Sequence, residues 1–155
     1  MTQAETQLAG YFARYEPARA TLGKAVRARL RARLPGFTEV VYLYERQGSL
    51  VIAYSPTGHG YEAPCSLSVE AEGVKLYFGQ GALLSKADPG KLLQGRGKTV
   101  RYVTLADAEE LDGPAIEALM VAALALVKVR PDPQAKGAVT FRVEAQRGRS
   151  RKRPS

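Results

Sequence analysis

A chain of 155 residues and 16.8 kDa is enough for one domain of ordinary size with a tail. At 45% hydrophobic and 25% charged residues it is a globular composition and not a disordered one. One cysteine, Cys65, excludes a disulfide framework and a cysteine-built zinc site, and one histidine, His59, argues against a multi-histidine metal centre.

The net charge of +8 points to anionic partners until it is located. Residues 1–33 carry +5, residues 34–145 carry −2, and residues 146–155 carry +5. The middle is mildly acidic, and the basicity belongs to a helix and a tail. Residues 1–12 lack the leading cations and apolar run of a secretory signal. The longest apolar stretch, residues 118–127, is ten residues, about half of the roughly 20 that span a bilayer. The expectation is a soluble cytoplasmic protein with no membrane partner.

In chain order, Thr2 followed by Glu5 fits a reciprocal capping box, and Leu8, Tyr11, Phe12 and Tyr15 recur at helical spacing. Pro17 suits the first turn of a second helix that runs to about Leu34 and stops at Pro35-Gly36. Leu22, Val26, Leu30 and Leu34 form its apolar stripe, with Lys24, Arg27 and Arg31 on the opposite, solvent side. Arg29 and Arg33 flank the stripe. Residues 40–44 and 50–55 read as strands around a Gln47-Gly48 turn. The glycines and prolines of PTGHGYEAP, residues 56–64, make a loop. Leu67, Val69 and Ala71, then Val74, Leu76 and Phe78, alternate about a Glu72-Gly73 turn as the clearest hairpin. Residues 79–98 are a long connection with room for one helical turn near Lys91–Leu93, and residues 99–105 are another strand.

Asp112-Gly113-Pro114 starts a last helix that is apolar nearly all round through Val127, broken only by Glu117. Such a helix must be covered on more than one side, by the segment that follows or by a second copy through residues 114–127. Val139, Phe141 and Val143 alternate as a final strand, at about residues 138–145, able to supply that cover. Glu109, Glu110 and Asp112 complement the helix dipole without needing a metal. The whole reads as α+β, a largely antiparallel sheet packed against N-terminal and C-terminal helices, in one domain over 1–145 with a disordered basic tail over 146–155.

Two features carry candidate chemistry. Gly95, Gly97, Lys98 and Arg101 set flexible amides beside two cations, a cradle for a small anionic ligand, although neither a Walker A loop nor a dinucleotide fingerprint. The bland alternative is a tight turn with solvated cations. The tail holds Arg147, Arg149, Arg151, Lys152 and Arg153; with Lys24, Arg27 and Arg31 of the second helix it offers weak contact to nucleic acid. Five phosphate contacts would give a salt slope of roughly −4 to −5 on duplex DNA. Cys65 reads as a small buried hydrophobe and His59 as a surface side chain. Tyr42, Tyr44, Tyr54, Tyr61, Tyr77 and Tyr102, on or beside predicted strands, read as cover for the edge of a modest core rather than a pocket lining. No catalytic set, cofactor motif or metal site assembles, so a binding role is expected over an enzyme.

The stretch YFARYEPARATLGKAVRARLRARLPGFTEVV is similar to the opening of the YdhG-like family of bacterial proteins. The likeness is sharpest at VKLYFGQGALLSKADPGKLLQGRGKTVRYVTL. There Leu84, Asp88, Pro89, Leu92, Leu93, Gly95, Gly97, Lys98 and Arg101 match the family's pattern. The resemblance covers residues 11–126, and residues 139–155 lie outside it. It implies an α+β fold with no settled function; some members resemble frataxin and are labelled iron chaperones. A frataxin-type site uses an acidic ridge on the first helix, where this chain has Glu16 among seven arginines and lysines in residues 1–33. The iron role is therefore not carried over.

Overall fold

A computed structural model describes residues 2–143. Helices α1 (Gln3–Phe12) and α2 (Pro17–Arg33) lead into strands β1 (Thr38–Tyr44) and β2 (Ser49–Ser55), then β3 (Cys65–Glu70) and β4 (Gly73–Phe78). Strand β5 (Arg101–Leu105), helix α3 (Pro114–Ala125) and strand β6 (Val139–Val143) complete the order. The six strands form one sheet, β5-β4-β3-β2-β1-β6, antiparallel except where β6 pairs parallel with β1. The α+β, largely antiparallel expectation holds.

Alternation divides the strands between two faces. Val41, Ile52, Leu67, Leu76 and Val103 stand in register across five strands, and all are 5% exposed or less. Against that face lie Leu8 and Phe12 of α1, Val26 and Leu30 of α2, and Ile116, Leu119, Met120 and Ala123 of α3. At Gly23 of α2, a side chain would meet Phe12 and Val69 at 2.9 Å, so the missing Cβ sets how closely α2 approaches the sheet. Cys65 lies at the end of this core with no exposure. Burial pushes its thiol up to about 12. We expect Ellman's reagent at pH 8 to leave the folded chain untouched and to titrate one thiol in denaturant.

Several local expectations shift. Thr2 caps α1 by accepting from the Glu5 N–H at 3.1 Å, but the capping box is not reciprocal. The Glu5 carboxylate turns to Arg27 instead, with two bonds of 2.9 Å. The β3–β4 turn is Ala71-Glu72, one residue earlier than the alternation suggests, because Glu70 pairs with Gly73. The helical turn expected near Lys91 lies instead at Gly81–Ala87, as a 3-10 helix. Asp88 ends it: its carboxylate accepts from the N–H groups of Leu92 and Leu93 at 2.8 and 2.9 Å, holding residues 88–93 as a turn.

The C-terminal strand does not cover α3. It adds to the far edge of the sheet, where Phe141 pairs with Val41 and meets Tyr11 of α1 edge-on at 5.8 Å. Ala118 and Ala125 stay exposed, and Val121 is 54% exposed.

The basic face of α2 is also corrected. Arg27 is not a solvent-side cation: its side chain is 15% exposed and it binds Glu39 of β1 through Nε at 2.9 Å and Nη2 at 2.7 Å. Arg31 donates to the same carboxylate, as does the Tyr54 hydroxyl at 2.8 Å. Arg29 pairs with Asp112 at 3.1 Å and Arg33 with Glu117 at 2.8 Å, while Lys24 is exposed. A helix that counts as strongly basic is thus largely neutralised by carboxylates from four other segments.

These contacts set the acid limit of the fold. Hydrogen bonds from Arg27 hold Glu5, and from Arg33 hold Glu117, below the ordinary glutamate value of 4.5. Burial raises Glu70, but hydrogen bonds from Ser68, Lys75 and Tyr77 outweigh it and leave the net shift downward. A carboxyl whose folded value is lowered stabilises above its unfolded value and loses that contribution as pH falls through the folded one. Urea midpoints should therefore hold steady above about pH 5 and fall below about pH 4.5. A midpoint that rises on acidification contradicts this assignment.

Candidate functional site

A cleft of about 420 Å³ opens where β2 ends, β3 begins and β4 ends. One wall is the loop 56–64, the other the end of α3 and residues 126–129, and Phe78 and Leu84 form its floor. Thr99 closes the side next to β5. The volume falls within the range of roughly 300–1,000 Å³ usual for small-molecule sites.

The loop wall is built from one buried hydroxyl. Ser55, fully buried at the end of β2, accepts from the Gly58 and Thr57 N–H groups at 2.9 and 3.2 Å and donates to the His59 carbonyl at 2.8 Å. One donor and two acceptor positions are all that a hydroxyl has, and all are used. The Thr57 hydroxyl then donates to the Glu62 carboxylate. The Tyr42 hydroxyl presses on Gly60 so closely that no side chain would fit there. His59 and Tyr61 stack at 5.4 Å, and Tyr61 is 83% exposed at the mouth. A nine-residue loop anchored this way is a preformed wall.

The opposite wall follows from how α3 stops. The Leu126 and Val127 N–H groups bond the Ala123 and Leu124 carbonyls at 3.1 Å, and Arg130 donates to the Leu124 carbonyl at 2.8 Å. The helix C-terminus, otherwise a negative end, is thereby capped by a cation. Leu126 and Val129, 43% and 56% exposed, present apolar surface to the cleft. Lys128 and Glu62 bring opposite charges to it, and no ion pair joins them among the described residues.

The residues expected to bind an anion are brought to one turn, but not to one point. Gln94 and Tyr102 bond each other's backbones at 2.7 and 2.9 Å and pinch off residues 95–101. Gly95 supplies the positive φ of 119° that the turn needs. Arg101 does not face outward with Lys98: its Nη1 donates to the carbonyls of Gly97 at 2.6 Å and Val100 at 2.8 Å. Gly97 and Lys98 are exposed. The turn reaches the cleft through Thr99, whose carbonyl accepts from Ala82 at 2.8 Å.

Of the residues expected at a nucleic-acid surface, Arg27 and Arg31 are held by Glu39 and only Lys24 of the three is exposed and without such a tie. Arg147, Arg149, Arg151, Lys152 and Arg153 lie outside the described residues. Among the described residues no group of three His, Cys, Asp or Glu side chains could hold a metal ion. Nor is any helix among them long and apolar enough to cross a membrane. Sequence reading missed Ser55, Gln80, Ala123 and Lys128. The Ser-Pro-Thr-Gly run after an apolar strand was the one available signal, for a side-chain-anchored turn at Ser55. Comparison with protein-family models, curated proteins and solved structures gives no match.

Proposed function

We propose that this chain is a YdhG-like binding domain whose ligand occupies the cleft between loop 56–64 and the end of α3. The supporting observation is a concave space of mixed apolar and polar lining whose loop wall is fixed in advance by Ser55. Preorganisation lowers the ordering cost of binding, which is the use of a rigid loop at an open site. The ligand class this favours is a small molecule with an apolar body and a polar end. The body lies on Phe78, Leu84 and Leu126; the end meets Lys128 or Glu62. The residues 95–101 enter as the neighbouring wall, with Lys98 as the exposed cation for a ligand whose end is anionic.

The probe is 8-anilinonaphthalene-1-sulfonate, which joins aromatic rings to an anion, with inorganic phosphate as a separate titrant. Saturable one-to-one binding should move the backbone amides of Gly79, Leu84, Thr99 and Ala123 in NMR spectra. Leu126→Glu, a change at a partly exposed wall position, should weaken it about tenfold or more by placing an unpaired charge against the rings. Amide shifts confined elsewhere, or none, would remove the reading. Phosphate that moves Gly95, Gly97 and Lys98 locates the anion end at the turn; phosphate that leaves them unmoved excludes it there.

A further inference from the structure

Two charged side chains line the cleft, one of each sign, and they stand on opposite walls. Glu62 belongs to the loop 56–64 and Lys128 to the segment that follows α3. Both are exposed, and neither forms an ion pair among the described residues. The carboxylates that tie the fold together behave otherwise: Glu5, Glu39, Glu70, Asp112 and Glu117 are each met by an arginine or a lysine. Arg130, the next cation after Lys128, is engaged with the Leu124 carbonyl. Glu62 is nevertheless held in position, because one of its oxygens accepts from the Thr57 hydroxyl.

Between the two charges lies a floor of Phe78, Leu84 and Ala123, all buried. Gln80 and Thr99 line the same space and are exposed. A carboxamide and a hydroxyl can each donate and accept, which is what a peptide group requires. A ligand with one charge satisfies one wall and is repelled by the other, so the pair favours a ligand that carries both signs. The spacing narrows this further. A volume of 420 Å³ corresponds to a sphere about 9 Å across. A free amino acid holds its ammonium and carboxylate on one carbon and would have to draw Glu62 and Lys128 together from opposite walls. An extended dipeptide spans about 7 Å between its ends.

From these placements we infer that the ligand of the cleft is a dipeptide of apolar residues. Its ammonium meets Glu62, its carboxylate meets Lys128, and its side chains lie over Phe78, Leu84 and Leu126. The peptide group falls between Gln80 and Thr99. The inference rests on the cleft reading above and narrows its ligand class from a body with one polar end to a body with two opposite ones. Exposed charges contribute only a few-fold each, so its signature is selectivity and not tight binding.

The test titrates the full chain at low salt with leucyl-leucine, N-acetyl-leucyl-leucine, leucyl-leucinamide and free leucine. NMR reads the backbone amides of Gly79, Leu84, Thr99 and Ala123. Leucyl-leucine should bind about threefold or more tightly than either blocked compound, and about tenfold or more tightly than leucine. Glu62→Gln, which keeps an oxygen for Thr57, should erase the preference for a free amine and tighten the anionic anilinonaphthalene sulfonate. Lys128→Met should erase the preference for a free carboxylate and weaken that probe. Opposite effects on two ligands at one site are not what a loss of folding produces. Blocked and free dipeptides that bind alike, or leucine that matches leucyl-leucine, overturn the inference; sulfonate binding at the same amides then leaves the cleft reading standing. If neither the sulfonate nor the dipeptide moves those amides, both readings fall together.

Discussion

Replacing Glu39 with alanine should destabilise the fold by about 3–5 kcal/mol, the cost usual for leaving a buried ionic partner uncompensated. The carboxylate is 1% exposed and receives four bonds from Arg27, Arg31 and Tyr54. Exposure decides where the loss falls. Arg31, 41% exposed, can return to water, whereas Arg27 at 15% and Tyr54 at 1% cannot. Arg27 keeps its two bonds to Glu5, but at the rim rather than beneath it. The double change Arg27→Met with Glu39→Leu should recover part of the loss, because an apolar pair needs no charge compensation while the buried Tyr54 hydroxyl still lacks its acceptor. Urea unfolding of the two single variants and the double variant measures the coupling. Additive losses would mean that the two side chains do not depend on each other.

The second large effect is expected at Gly81, where the 3-10 helix leaves β4 and passes the start of β5. A Cβ there would lie 2.8 Å from the Arg101 nitrogen and 3.0 Å from its Cα. Those are backbone atoms held in the sheet, so neither can swing aside. Gly81→Val should cost roughly 1–3 kcal/mol or more as overpacking, and should push Thr99 and Leu84 apart at the cleft. Thermal unfolding should show a clear drop, and the anilinonaphthalene sulfonate affinity should fall with it. Gly90→Ala, where nothing lies within 4 Å, is the control expected to change neither. Equal behaviour of the two variants would show that the approach at Gly81 is not tight.

What could be read from the chain was what local pattern encodes. The stripe Val26, Leu30 and Leu34 is buried as its spacing says, and Gly113-Pro114 opens α3. The hairpin of Leu67 and Leu76 is paired in register. Unread were the features that depend on distant segments. Glu39 sits in an apolar run, TEVVYLY, and only the fold sets it against Arg27 and Arg31. Helical spacing placed those arginines opposite the apolar stripe and carried no knowledge of the acid awaiting them. The cleft draws on residues 56–64, 78–84, 99 and 123–129, and no local window contains two of its walls. The composition of α3 announced surplus apolar surface but not which neighbour would take it. The alternation in residues 139–143 marked a strand and left its partner open; it joined β1 and not α3.

The parallel union of β6 with β1 has a consequence for how the molecule is made. Chain order places β6 after every other strand, while its partner β1 is the first of them. During synthesis the antiparallel strands can pair while one flank of β1, with its row of unsatisfied amides and carbonyls, waits for a segment about a hundred residues downstream. An open flank of that kind recruits other nascent chains. Closing it is thus the last act of assembly, and a chain stopped short of residue 139 would emerge with its sheet formed and its adhesive side uncovered.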